Sequence, residues 1–97
     1  MRLWYNKQMF QTKKLERLVR GFANHRRIEM LNLLEKESEL SISDITRTLG
    51  INYKTASEHV RRLAIAGLVM KRNEGPAVRH ALTKQGKLIL MFLRTLE

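Results

Sequence analysis

The sequence contains no cysteine, only one proline and few acidic residues, and these shortages exclude several classes of protein. Without cysteine there is no disulfide framework, no thiolate metal site and no cysteine nucleophile. No apolar run reaches the length of about 20 residues that a membrane-spanning helix needs. The first residues have no long apolar core and no cleavage site, so we expect no signal peptide there. A cytoplasmic protein is therefore expected.

The motifs that mark common enzymes are also missing. There is no glycine-rich phosphate loop, no nucleophile elbow and no convincing carboxylate pair. Glu35, Glu37 and Glu39 cluster in a loop, but nothing in the pattern places them in a cleft, and a solvated loop is the simpler interpretation. The three histidines are too scattered to predict a metal site. The sequence therefore predicts no enzyme, no cofactor and no bound metal.

Basic residues dominate the charged ones. There are 19 Lys and Arg against 9 Asp and Glu, which gives a net charge of +10. This balance favours a polyanionic partner, with nucleic acid first and an anionic membrane surface second. A solvated basic surface that only aids solubility is the alternative, so the placement of the charges has to decide. The 97 residues suit one small domain with a modest core, which a dimer would enlarge.

The segment 49–69 shows where the charges lie. Gly50 interrupts the helical pattern, and Asn52 is suited to cap the helix that follows. The apolar residues that recur there at helical spacing, and so predict a buried stripe, are Ala56, Val60 and Leu63. Gly67 is expected to end the helix in the left-handed conformation. The opposite face is basic, and a short basic helix after a tight turn suits the major groove of DNA.

This segment resembles the recognition unit of ArsR-type winged helix-turn-helix regulators. Their pattern is Leu-Gly-x-Ser-x-x-Thr-x-Ser-x-His-x-x-x-Leu-x-x-Ala-Gly-Leu-Val. The residues that fit it are Leu49, Gly50, Thr55, Ser57, His59, Leu63, Ala66, Gly67, Leu68 and Val69, with Asn52 in the first serine position. The likeness extends over residues 23–96. Its start, Ala23-Asn24-His25-Arg26-Arg27-Ile28, resembles an Ala-Asp-Pro-x-Arg-x-x-Ile motif with Asn24 as an equally good cap.

The resemblance and the hydrophobic pattern together predict an α+β, mostly helical fold: a winged helix-turn-helix with a two-stranded wing and N- and C-terminal dimerisation helices. We expect one domain over residues 1–97. Its parts are an N-terminal helix within 1–22, a helix from His25 to Lys36, the helix-turn-helix at 42–66, the wing at 68–82 and a C-terminal helix at 84–96. Ile28, Leu31 and Leu34 are the expected buried stripe of the second helix. Ser41 and Asp44 form an expected capping box, and Thr83 is the expected cap of the last helix.

The C-terminal helix contains the run Leu88–Leu93, which is apolar on every side. Such a helix is normally buried all round, and a domain this small cannot cover it alone. We therefore expect a homodimer, in which the N-terminal helix joins the contact. The expected interface residues are Trp4, Tyr5, Met9, Phe10, Leu88, Ile89, Phe92 and Leu96. Taken alone, the basic N-terminal helix is also compatible with a membrane surface, but the subunit contact is the preferred interpretation, with no membrane partner.

Many ArsR-type proteins sense metals, and the resemblance allows that property to be tested residue by residue. One family site uses the cysteines of a Glu-Leu-Cys-Val-Cys-Asp-Leu motif. The corresponding residues 39–45 keep the frame, but Ser41 and Ser43 replace both thiols, and serine is a poor ligand for soft metals. Another family site uses Asp and His on the C-terminal helix, and residues 84–97 contain neither. No metal site is predicted, and His59 is expected to be a half-buried structural residue.

The resemblance assigns DNA contacts to the recognition helix and the wing. The recognition-helix candidates are Asn52, Tyr53, Lys54, Thr55, Ser57, Glu58, Arg61 and Arg62. The wing candidates are Lys71, Arg72, Arg79 and His80. Lys54 is suited to guanine acceptors and Glu58 to the cytosine amino group, although an ion pair of Glu58 with Lys54 or Arg62 is an equally good interpretation. The arginines and the wing residues are expected to hold phosphates, which set affinity and register.

The function predicted from these observations is that of a sequence-specific regulator of transcription that binds double-stranded DNA. We expect a repressor that acts as a homodimer on an inverted repeat, and the sequence names no small-molecule effector. The alternative from a different class is a winged-helix interaction module that binds a protein or RNA partner.

Overall fold

The computed structural model describes residues 2–97, which form five helices and a two-stranded antiparallel sheet. In chain order the elements are α1 (Arg2–Phe22), α2 (His25–Lys36), α3 (Ile42–Leu49), α4 (Tyr53–Ile65), β1 (Val69–Glu74), β2 (Ala77–Leu82) and α5 (Lys84–Arg94). Helices α3 and α4 are the helix-turn-helix, and β1 with β2 is the wing. The predicted fold class, α+β and mostly helical with a winged helix-turn-helix, is confirmed.

Polar caps begin the helices where the sequence predicts them. The side chain of Asn24 accepts from the backbone N–H groups of Arg26 and Arg27 at 2.9 and 3.2 Å. Ser41 and Asp44 form the predicted capping box, since each side chain accepts from the other residue's backbone N–H, at 3.1 and 3.0 Å. The caps of α4 and α5 are Asn52 and Thr83, as predicted. Each cap satisfies amide donors that have no partner within the helix.

One apolar core joins the helices to the base of the wing. Its buried members are Phe22, Met30, Leu31, Leu34, Ile45, Ala56, Val60, Leu63, Leu68, Val69, Leu82 and Leu90. The predicted stripe of α4 is therefore confirmed. In α2 the prediction is partly wrong, because Met30 is fully buried while Ile28 is only half-buried. The inward face of α2 is rotated relative to the stripe that we expected.

Two glycines allow close approaches that fix the terminal helices. A Cβ atom at Gly21 would lie 2.3 Å from the Cβ of Ala66, so α1 touches the end of α4 at this point. A Cβ atom at Gly86 would lie 2.2 Å from the carbonyl oxygen of Leu68, where α5 crosses the entry to β1. Both distances are shorter than any side chain tolerates. These glycines therefore serve packing rather than backbone flexibility.

The wing lies within the predicted residues 68–82 and is tied to the body. Residues 73 and 74 continue β1 and pair with β2, so the turn consists only of Gly75 and Pro76. Gly75 has a φ of 60°, which favours glycine in a two-residue hairpin turn. On the other side of β2, Leu40 forms an antiparallel bridge with His80. The backbone N–H of His80 donates to the Leu40 carbonyl oxygen at 2.8 Å, which anchors the wing to the segment before α3.

The terminal helices leave much apolar surface exposed. In α1, Trp4 and Phe10 are 67% and 70% exposed, and burial begins only near Leu18. In α5, Leu90 is buried in the chain's own core, whereas Leu88 and Phe92 are more than half exposed. The run in α5 is thus covered on one side only within a single chain. None of the described helices is long and apolar enough to cross a membrane.

Candidate nucleic-acid interface

Helix α4 presents one buried and one polar face. Because its apolar residues point to the core, the remaining side chains project outward along the whole helix. The candidates exposed there are Asn52, Tyr53, Lys54, Thr55, Ser57, Glu58, Arg61 and Arg62. Near the N-terminal end, Tyr53, Lys54, Ser57 and Glu58 line a shallow depression. The first turn of α4 is therefore a polar, accessible surface with an aromatic ring at its edge.

Glu58 organises the arginines at the other end of this face. Its carboxylate accepts from Arg61 Nε and Nη2 at 2.9 and 2.8 Å and from Arg62 Nε at 3.2 Å. These hydrogen bonds hold the pKa of Glu58 at about 2, so it is ionised at neutral pH. No ion pair with Lys54 occurs in residues 2–97. Of the two interpretations of Glu58, this geometry favours the ion pair with Arg62 and adds Arg61 to it.

In the wing, two arginines lie directly opposite each other. The register pairs Arg72 with Arg79, which places two like charges on one face of the hairpin. Glu39 offsets them, since its carboxylate accepts from Arg72 Nε and Nη2 at 3.1 and 2.9 Å and its carbonyl oxygen accepts from Arg79 at 3.3 Å. Asp44 lies 3.8 Å from Arg79, and Glu74 lies 3.1 Å from Arg72. The guanidinium groups of the wing are thus held by acids while still partly exposed.

His80 is wrong as a candidate phosphate contact. Only 1% of it is exposed, and its Nδ1 donates to the Leu40 carbonyl oxygen at 2.8 Å, because a carbonyl can only accept. Burial lowers the pKa of His80, and nearby Lys71 lowers it further, while the bond to Leu40 opposes the shift. A neutral, enclosed imidazole cannot reach DNA. Its strand position explains this, since His80 alternates with Arg79 and shares a face with buried Leu82.

His59 and Arg27 lie where α2 meets α4. His59 is half-buried, as predicted for a structural residue, and burial lowers its pKa, with the charge of Arg27 adding to the effect. The pKa of Arg27 is lowered by burial and by Arg62. Arg27 Nε is buried without a hydrogen-bond partner in the part of the chain that the structure describes. Arg27 extends the positive charge of α4 toward the start of α2.

Several residues of this surface were not found from the sequence. The sequence pattern predicts a solvated loop residue at Glu39, yet Glu39 joins both wing arginines to the segment before α3. It adopts a φ of 68°, which is unusual for a residue other than glycine and directs the chain toward the wing. Arg61 as the main partner of Glu58 was also missed, although a spacing of three residues on a helix permits the pair. That spacing was the available signal.

Ser41 and Ser43 stand where the family's metal-site motif has cysteines, and both lie at the start of α3. Ser41 is occupied as the cap of α3, and Ser43 is exposed on its first turn. Among residues 2–97, no three side chains of His, Cys, Asp or Glu converge in a geometry that would hold a metal ion.

Comparison with known proteins identifies the family. The sequence model of the family described as "Bacterial regulatory protein, arsR family" matches residues 24–71, which run from the cap of α2 into β1. The chain belongs to the ArsR family. The match contains the complete helix-turn-helix and the acidic and serine positions before α3. The family and the fold are those of DNA-binding transcriptional regulators, not of enzymes.

Solved structures resemble this ArsR-family chain over nearly its whole length. Reduced HlyU from Vibrio cholerae is 27% identical, covers 93% of this chain and 95% of its own, and has a TM-score of 0.79. The transcriptional regulator HlyU from Vibrio vulnificus is 29% identical, with coverages of 99% and 98% and a TM-score of 0.74. The homodimeric winged helix-turn-helix DNA-binding domain of a possible ArsR-family regulator from Mycobacterium bovis is 24% identical, with coverages of 92% and 82% and a TM-score of 0.84, which shows the fold alone. No curated protein sequence matches the chain.

Proposed function

We propose that this ArsR-family protein is a homodimeric, sequence-specific repressor that binds an inverted repeat in double-stranded DNA. The observation that carries the proposal is the polar outer face of α4, which is exposed from Tyr53 to Arg62 and has cations at its C-terminal end. A helix with one solvent-exposed basic face fits the major groove of DNA. Repression is the outcome that occupancy of DNA alone produces, and a bacterial regulator of this kind acts in the cytoplasm.

The candidate contacts divide by their position. Tyr53, Lys54, Ser57 and Glu58 lie on the first turns of α4, where a docked helix approaches base edges, and Asn52 and Thr55 support that end. Arg61, Arg62, Lys71, Arg72 and Arg79 are assigned to phosphates, because they lie at the helix end and on the wing. Glu58 is assigned to positioning Arg61 and Arg62 rather than to cytosine. His80 is removed from the set.

The dimer is proposed from the apolar surface of the terminal helices. Trp4, Tyr5, Met9, Phe10, Leu88, Phe92 and Leu96 are all exposed in the single chain. Ile89 is partly covered by the chain's own core, so it contributes less than expected. So many exposed large apolar side chains are uncommon on a stable monomer. A two-fold contact through α1 and α5 would cover it and place two α4 helices on two half-sites.

The experiment that tests DNA binding is selection of bound duplexes from a random pool, followed by mobility shifts on the selected duplex, a shuffled duplex and RNA. The expected result is a selected inverted repeat that the protein prefers, with affinity that falls as salt rises. Equal binding to the shuffled duplex, or tighter binding to RNA, would contradict sequence-specific recognition. The RNA result would instead favour the interaction-module alternative.

The dimer is tested by Phe92→Glu, a change on the exposed side of α5. We expect a folded monomer in analytical ultracentrifugation that binds the full inverted repeat poorly. Lys36→Glu, an exposed change on α2, is the control and should remain a dimer. Leu90 is unsuitable for this test, because it is buried in the core and a charge there would unfold the chain. A wild-type chain that sediments as a monomer at micromolar concentration would overturn the dimer.

A further inference from the structure

A groove runs between the C-terminal half of α1 and the end of α4, away from the first turns of the recognition helix. It is open to solvent and has a volume of about 740 Å³, within the range of small-molecule sites. The contact of Gly21 with Ala66 closes its lower end, and α1 diverges from α4 above that point. The groove is therefore a consequence of how α1 is attached.

Its lining combines apolar surface with positive charge. Aliphatic side chains come from both helices, and two of them are strongly exposed: Leu15 is 57% and Ile65 is 71% exposed. The lining includes five cations, which are Lys14, Arg17, Arg20, Arg61 and Arg62, and no acid. Exposed aliphatic residues surrounded by cations are complementary to a ligand that is itself apolar at one end and anionic at the other.

Part of this positive charge has no partner within the chain. Glu16 lies 3.6 Å from Arg20, and Glu58 pairs with Arg61 and Arg62. Lys14 and Arg17 form no ion pair in the portion of the chain covered by the structure, residues 2–97. Arg17 therefore offers a free guanidinium beside the apolar floor, and a guanidinium binds a carboxylate in a bidentate geometry.

We propose that this groove is a binding site for a small amphipathic organic anion, with an aliphatic body and a carboxylate head. The body would lie on Leu15 and Ile65, and the head would meet Arg17. The subunit contact proposed above uses the exposed residues at the free end of α1 and on α5, whereas the groove lies beside the other half of α1.

The position of the groove gives the anion a route to regulation, and this second step rests on the proposed function. Arg61 and Arg62 line the groove and also belong to the proposed phosphate contacts. An anion bound between them and Arg17 would attract their guanidinium groups away from DNA. We therefore expect the anion to weaken DNA binding, as an effector does.

Binding is tested with octanoate as the probe, using calorimetry and NMR on the full chain without DNA. Octanoate should bind saturably and shift the signals of Gly21, Leu18 and Ala66. Octanol, the neutral analogue, should bind roughly threefold to fivefold more weakly, as expected for the loss of one exposed charge pair. Acetate, which has the charge without the aliphatic body, should show no saturable binding. Absence of saturable binding by octanoate at millimolar concentration, or equal binding of octanol, would overturn the proposal.

Two variants separate the parts of the site. Arg17→Gln should weaken octanoate binding and leave octanol unchanged, whereas Ile65→Gln should weaken both by roughly tenfold, because it removes apolar contact. Both positions are exposed, so neither change should unfold the chain. Lys36→Gln, on α2, is the matched control and should change neither. If Ile65→Gln instead converts a dimer to a monomer and octanoate does not bind, a second copy fills the groove and the proposal is wrong.

The regulatory step is measured separately, by fluorescence anisotropy on the selected duplex. Octanoate should raise the dissociation constant of the wild-type protein for DNA and have less effect on Arg17→Gln. If octanoate binds but leaves DNA affinity unchanged, the coupling is wrong and the anion site stands. If the protein binds no duplex at all, the proposed function fails, and calorimetry alone still decides whether the groove binds the anion.

Discussion

The recognition helix and the wing hold their arginines in different ways. In α4, Glu58 lies three and four residues from its partners Arg61 and Arg62, so the arrangement is complete within one turn of helix. In the wing, Arg72 is paired with Glu39, which is 33 residues away in the chain. The charge pattern of α4 therefore depends on local structure, whereas that of the wing exists only when the fold brings distant segments together. Perturbing the attachment of the wing should disturb its cations and leave those of α4 in place.

The largest expected effect is a loss of stability when a histidine of one of the two regions is replaced by alanine. His80→Ala removes a buried ring and leaves the Leu40 carbonyl oxygen without a side-chain donor, so we expect the free energy of unfolding to fall by about 3 kcal/mol. His59→Ala, on α4, should cost clearly less, because His59 is only half-buried. Urea denaturation of both variants makes the comparison. Equal losses would show that the wing is not specially anchored by His80.

Next in size are the effects on DNA binding. Lys54→Ala should relax preference at particular positions of each half-site, by about 1–3 kcal/mol if a good base contact is lost. Arg79→Ala should weaken binding about equally on all sequences and reduce the salt slope by roughly one unit for one phosphate contact. A panel of single-base operator changes at two salt concentrations distinguishes them. Identical profiles for both variants would remove the division between base-reading helix and phosphate-holding wing.

A smaller effect is the pH dependence of stability. The pKa of His80 is lowered in the folded state, so the unfolded chain binds the proton more readily as pH falls below the ordinary value of about 6.5. The contribution of neutral His80 is present above that pH and is lost as pH falls toward the lowered value, by up to about 1.4 kcal/mol per pH unit. Unfolding of the wild type and of His80→Gln between pH 7 and pH 5 should show a steeper loss for the wild type. His59→Gln is the control on α4 and should reduce the slope less.

The smallest expected effects are on DNA affinity, when the glutamates that pair with the arginines are replaced by glutamine. Glu58→Gln and Glu39→Gln each free guanidinium groups and remove a negative charge that faces phosphates, so both should tighten DNA binding modestly on every sequence. The two variants differ in one respect that can be measured on the operator panel. If Glu58→Gln changes which base is preferred at one position, Glu58 reads a cytosine amino group and is more than a positioning residue. Glu39→Gln should never change base preference.

The parts of the fold that depend on neighbouring residues were predictable. The caps Asn24, Ser41 and Asn52 and the stripe of α4 follow from spacings of three and four residues, and all were found. The exposed face of α4 was found for the same reason, since it is what the stripe leaves. The wing as a hairpin was predictable from Gly75 and Pro76 and from the apolar residues on either side.

What was missed depends on contacts between distant segments. The run in α5 is apolar on every side, so periodicity alone could not show that Leu90 faces the core while Phe92 faces outward. The bridge from Leu40 to His80 joins residues that are 40 apart, and it buries a histidine that the local pattern placed beside an exposed arginine. Glu39 could not be recognised as the partner of Arg72 until the wing was folded against it.

The contact of Gly21 with Ala66 is the point about which the free part of α1 would tilt. The part of α1 before that contact is about 28 Å long at a rise of about 1.5 Å per residue, and most of it touches nothing else in the chain. A tilt of about 10° at the contact would therefore move the free end by roughly 5 Å. In a dimer joined through that end, the same tilt changes the separation of the two α4 helices. In that proposed dimer the spacing between half-sites would be set by the angle at one glycine, so a substitution far from the DNA would shift the operator length that the protein accepts.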